Sequence, residues 1–170
     1  MTITFWQRID RAGRNLAPFA VTVFLVLVGM VPLHLPLYAP VAPALALMAV
    51  YYWTIHRPDL LRPSAVFLIG LLQDLLSGSP LGLNALVLLA VHWVVLNQRR
   101  YFLTGTFALM WFGFGLIVLG AAFLQWAAYS ALNATLMRLD TALGQAMLTL
   151  ALFPMFAWLF VRIHRAFLHG

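Results

Sequence analysis

The chain has 170 residues, 64% of them hydrophobic and 8% charged. Soluble domains average roughly a quarter charged residues, so this chain has too little polar surface to face water on all sides. Cysteine is absent, which excludes a disulfide framework and a thiolate site. The net charge is +6 and the basic residues are all arginines set between apolar runs, a pattern of membrane topology rather than of nucleic-acid binding.

A bilayer core takes about 20 apolar residues per helix. Before the first run, Phe5, Trp6, Ile9, Gly13 and Leu16 share one helical face, opposite Arg8, Arg11 and Arg14. That pattern predicts a cytoplasmic, amphipathic segment over 1–15, lying in the interface. The first run, 16–33, is too long for the apolar core of a typical signal peptide and has no small-residue site directly after it, so it is expected to be retained. The second is 37–55 and the third, 64–76, is short and breaks at Ser77-Gly78-Ser79-Pro80. The fourth, fifth and sixth are 81–96, 102–132 and 142–161. The expectation is an all-α integral membrane protein, one transmembrane domain over 1–170 with six spanning helices.

Arginine placement orients the helices. With the N-terminus inside, Arg8, Arg11, Arg14, Arg57, Arg62, Arg99, Arg100, Arg162 and Arg165 fall inside, and Arg138 alone falls outside. This is the asymmetry of an N-in, C-in protein. Splitting the long fifth run would put Arg138 inside and carry Arg162 and Arg165 outside, so one overlong helix is expected there. The third and fourth runs satisfy the charges either as a spanning pair, which is the expectation, or as a re-entrant hairpin. The outside loops are short and leave no room for an extramembrane domain.

Catalytic and metal chemistry find little to work with. His34, His56, His92, His164 and His169 are dispersed and none pairs with another at a one-turn spacing. No G-x-S-x-G, H-E-x-x-H or glycine-rich phosphate loop occurs. His92 is expected to pack or to hydrogen-bond within the bundle. Trp53, Trp93, Trp111, Trp126 and Trp158 are expected to include interface anchors. The reading is a non-enzyme with no cofactor, no metal, and the lipid bilayer as its environment.

Asp74 is the one acid well inside an apolar run. A charge there is costly and is usually paired or functional. Phe67, Gly70 and Asp74 fall on one stripe of the third helix, and Gly70 lets another backbone approach it. In the break, Gly78 supplies the turn, Ser79 suits an N-cap and Pro80 suits the first position of the next helix. Counting outward from Ser79 and Pro80 puts Asn84 at the depth of Asp74. Asp74 is therefore expected to be held by Asn84 or by the amides that open the fourth helix. Its role is either a staple for the hairpin or a polar contact for a partner or ligand.

These residues resemble a known family. The stretch YYWTIHRPDLLRPSAVFLIGLLQDLLSGSPLGLNAL, residues 51–86, is similar to the central signature of the bacterial rod-shape-determining MreD family. The matching positions include Tyr52, Trp53, Pro58, Phe67, Gly70, Asp74, Gly78, Gly82 and Leu86; Pro80 and Asn84 join them as motif residues on the spacing argument. Pro154, followed by apolar residues and then Arg162 and Arg165, is also similar. The resemblance implies a multi-pass protein of the inner membrane that scaffolds or regulates the cell-elongation complex. Its implied partners are MreC, the glycosyltransferase RodA with its class B penicillin-binding protein, and, indirectly, the MreB filament. It also implies a fold similar to the substrate-binding S-components of vitamin transporters. A small-solute binding or transport component is therefore the alternative function.

Overall fold

The computed structural model describes residues 5–30, 42–134 and 138–168, with side chains over 16–30, 42–134 and 138–166. They form six helices: α1 Phe5–Gly29, α2 Leu45–His56, α3 Pro63–Ser77, α4 Leu83–Thr104, α5 Phe107–Asn133 and α6 Leu139–Leu168. No strand occurs among the described residues. The 102–132 run breaks at Gly105 and Thr106, so its first residues close α4; from Phe107 to Asn133 it forms α5 as one uninterrupted helix of 27 residues, and α6 continues through Pro154.

Several boundaries differ from expectation, two of them by most of a helical turn or more. Residues 5–15 continue directly into the first apolar run as one 25-residue helix instead of forming a separate segment. Gly13 is too weak a break to end it, since a single helical glycine costs about 1 kcal/mol, and the helix runs on through Pro18. How the side chains of 5–15 face, like the His34 loop, lies outside the described residues. The α4 helix also runs past the apolar segment, through Arg99 and Arg100, to Thr104.

Five helices follow one another in contact, α1 with α3, α3 with α4, α4 with α5, α5 with α6, and α6 back to α1. Inside that ring sits α2, touching α1, α4 and α6. The sequence of α2, LALMAVYYWTIH, is apolar on every side, so it has no face suited to water. Every residue from Leu45 to Ile55 is buried accordingly. Tyr51 ties this central helix outward. Its ring meets Phe102, Phe114 and Phe153, and its hydroxyl donates to the Met110 carbonyl at 2.9 Å.

The ring's outer face is greasy: Phe112, Leu116, Phe123, Trp93 and Trp158 are all exposed. Helices α5 and α6 are long and apolar enough to cross a bilayer by length and composition. At 1.5 Å per residue, α2 and α3 reach about 18 and 22 Å, short of the roughly 30 Å hydrocarbon core. Trp53 corrects the anchor expectation, because it is fully buried and serves the core. An aromatic at a helix end looks the same in sequence whether it faces lipid headgroups or a neighbouring helix.

The tightest contact joins α3 to α4. A Cβ placed on Gly70 would overlap the Ala85 Cα and lie 2.6 Å from its backbone nitrogen. The obstacle is backbone, which cannot rotate away. Gly70→Ala is therefore expected to lower stability in detergent by about 1–3 kcal/mol, although alanine is the better helix former by about 1 kcal/mol. Adding Ala85→Gly should not restore it. Gly120→Ala, where an added Cβ meets nothing within 4 Å, should leave the melting temperature unchanged or higher.

Candidate functional site: a buried carboxylate at a helix start

The α3 helix buries Val66, Ile69, Gly70 and Asp74 on one side. Phe67 does not share that side: it is 41% exposed, so the predicted stripe reduces to Gly70 and Asp74. The helix closes at Gly78, whose φ of 66° is the left-handed conformation that glycine adopts without strain. The chain then turns through Ser79, Pro80 and Leu81 to Gly82, with φ 94°, and α4 starts at Leu83.

This start corrects the expected cap. Ser79 and Pro80 lie ahead of the helix, and Gly82 occupies the cap position with no capping side chain of its own. Pro80 is exposed and its carbonyl accepts from the Leu83 N–H at 3.2 Å. The missing cap comes from the neighbouring helix. Asp74 Oδ2 accepts the Gly82 N–H at 2.9 Å and the Ala85 N–H at 3.5 Å. Asp74 Oδ1 accepts the Asn84 N–H at 3.0 Å, the Asn84 Nδ2–H at 2.9 Å and the Ser79 hydroxyl at 2.8 Å. A helix leaves its first amides without internal partners and concentrates positive partial charge there. A carboxylate in that position satisfies both demands, as a local N-cap or a bound anion does.

Asp74 is fully buried and Asn84 nearly so, at 6% exposed. Asn84 extends the network in two directions. Its amide also donates to the Ser79 oxygen at 3.2 Å, and its carbonyl accepts from Gln125 Nε2 at 2.8 Å. Ser77 and Ser79 share a hydroxyl contact of 2.9 Å at the turn. One polar chain thus connects α3, the turn, α4 and α5. Gln73 contributes a backbone carbonyl to Ser77. Gln125 was not anticipated. Its signal was available, since a glutamine deep in an apolar helix needs a partner.

The remaining motif residues lie elsewhere. Tyr52 stacks on His56 at 4.2 Å and on Phe160 at 5.1 Å, and Trp53 stacks on His164 at 6.0 Å. These rings fasten the C-terminal end of α2 to α6. Pro58 is half-buried in the turn between α2 and α3. His92, also buried, shares a hydrogen bond of 2.9 Å with Thr54, which joins α4 to α2. Among the described residues, no cluster of three or more His, Cys, Asp or Glu is placed to hold a metal ion.

Fold and site together define a helical membrane protein in which the one buried acid among the described residues is bonded on both oxygens to the opening of the next helix. The family model described as rod shape-determining protein MreD matches residues 10–163, and the chain belongs to that family. No curated protein and no solved structure matches it.

Asp74→Asn should cost about 1–3 kcal/mol, because an amide NH2 replaces one acceptor and faces backbone N–H donors. Asp74→Ala should cost more, since all five donors lose their acceptor together. Gln125→Ala should cost about 1 kcal/mol through the orphaned Asn84 carbonyl. Thermal unfolding of the purified variants in one detergent ranks the three.

Proposed function

We propose that this chain is a non-catalytic scaffold of the cell-elongation machinery, held in the bacterial inner membrane. The observation that carries the reading is the match of residues 10–163 to a rod shape-determining family. Family membership places the chain in rod-shape determination. Its helices are read as six spans, N-in and C-in, within one transmembrane domain that includes a cytoplasmic N-terminal segment. The arginine asymmetry supports that topology, and the exposed apolar ring supports burial in lipid.

The site supports a structural role for the motif. Asp74, Asn84, Ser79 and Gln125 bond to one another and to backbone, so the cluster is a fastening rather than a reaction centre. The motif residues divide the work. Gly70, Asp74, Gly78, Gly82 and Asn84 set the α3–α4 hairpin, and Tyr52 and Trp53 set α2 against α6. Phe67 and Pro80 stay on the surface, available to a partner. The partners implied by the family are MreC and, through it, RodA with its class B penicillin-binding protein and the MreB filament. No observation favours the solute-binding alternative.

Purification from native membranes in a gentle detergent, with identification of what co-elutes, tests this reading. The scaffold predicts an MreC-type bitopic protein together with a glycosyltransferase and transpeptidase pair. Co-elution of an ATPase module carrying a vitamin would overturn it.

A further inference from the structure

A proline inside a helix has no N–H for the carbonyl four residues back, and its ring crowds that carbonyl. In α6 the proline is Pro154, so the carbonyl left over is that of Leu150. Within an apolar bundle such a group needs a donor from a neighbouring helix. Trp111 of α5 is that donor: its indole N–H reaches the Leu150 carbonyl at 3.1 Å. The two sides of this bond are held differently. On α5, the turn that carries Trp111 is pinned to the central helix, since Tyr51 donates to the Met110 carbonyl and packs its ring on Phe114. The C-terminal half of α6 is pinned to the same helix, by Phe153 on Tyr51 and Phe160 on Tyr52. The N-terminal half, 139–150, bonds instead to the segment ahead of α2. Thr149 accepts the Ala44 N–H at 3.0 Å, and Gln145 donates to the Ala42 carbonyl at 2.9 Å. Trp111 is half-buried and borders an open groove of about 300 Å³, together with Gly115, Leu119 and Leu150. The indole therefore has space to turn out of its bond.

We propose that α6 is hinged between Leu150 and Pro154 and that Trp111 is the latch of that hinge. With the indole bonded, the N-terminal half of α6 keeps one angle to the C-terminal half. With the indole turned into the groove, the Leu150 carbonyl has no donor, and the N-terminal half swings about Pro154 with residues 42–44 attached. Sharp bends in helices arise at prolines, and a hinge needs only a few residues to absorb the change. The latched state is the ground state, because the open one leaves a carbonyl unpaired in apolar surroundings. The Asp74 fastening lies on α3 and α4 and takes no part, so the device moves one end of α6 against a fixed core. The inference stands on these contacts and is independent of the topology and the partners proposed above.

The chain has no cysteine, so two introduced ones report alone. Leu143 and Val161 are exposed and flank the hinge. They lie on one face of α6, about 27 Å apart at 1.5 Å per residue. Spin labels at Leu143→Cys and Val161→Cys are measured by pulsed electron paramagnetic resonance on the full chain in detergent. The labelled parent should give one narrow distance distribution. Trp111→Phe keeps a ring and removes the N–H, and should add a second distance or at least double the width. Adding Pro154→Ala restores the helix's own donor, so the distribution should return to one narrow peak. Pro154 is exposed, so its replacement opens no cavity. Melting temperatures are read in parallel. Trp111→Phe should lower that of the parent and leave that of Pro154→Ala nearly unchanged. If Trp111→Phe alone is too unstable to label, its rescue by Pro154→Ala is read from the melting temperature. An unchanged distribution in Trp111→Phe would overturn the proposal. So would a double variant as broad as Trp111→Phe, or an equal loss of melting temperature in the two backgrounds.

Discussion

The Asp74 carboxylate and the first amides of α4 depend on each other. Buried without partners, a carboxylate is expensive, and so are the N–H groups of a helix that starts inside a protein. Set together, each removes the other's cost. The two oxygens of Asp74 reach Gly82, Asn84 and Ala85 in the backbone and Ser79 and Asn84 in their side chains. The α3 helix must therefore lie with Asp74 at the level of the α4 start, and the turn between them must fold back tightly. Two left-handed glycines, Gly78 and Gly82, make that turn possible.

Other contacts follow from that register. With Asp74 at the start of α4, the α3 residue one turn earlier comes level with Ala85, and that residue is Gly70. Asn84, drawn inward by Asp74, presents its carbonyl to Gln125 and so fixes α5 against the hairpin. At the other end of the bundle, α2 is held by rings, through Tyr52 and Trp53 on α6 residues and Tyr51 among three phenylalanines, and by the hydrogen bonds of Tyr51 to Met110 and of Thr54 with His92. The protein thus has a polar fastening at one level and an aromatic one at another. Both lie inside a ring whose outer surface is apolar.

Much of this was legible in the sequence. Run lengths and arginine spacing gave the helix count and kept α5 in one piece. Counting from the turn paired Asp74 with Asn84, because positions equally far from a hairpin's tip share a depth. The start of α4 was misread because capping preferences are local, and they point to Ser79 and Pro80; the actual cap is a side chain from another helix. Gln125 lies 41 residues from Asn84, and no periodicity links them. Phe67 and Trp53 show the same limit from the other side. Helical spacing places Phe67 near the Gly70 stripe, yet the direction of the neighbouring helix turns it outward. Trp53 has the composition of an interface residue but lies against α6.

Hydrogen exchange at the α4 start is the most direct probe of the central interaction. Amide protection of Gly82, Asn84 and Ala85 is compared between the wild-type chain and Asp74→Asn in the same detergent. If Asp74 caps the helix from α3, protection at these three amides falls sharply in the variant while amides near His92 keep theirs. Unchanged protection at Gly82, Asn84 and Ala85 would contradict the account, since the start of α4 would then be holding itself together without Asp74.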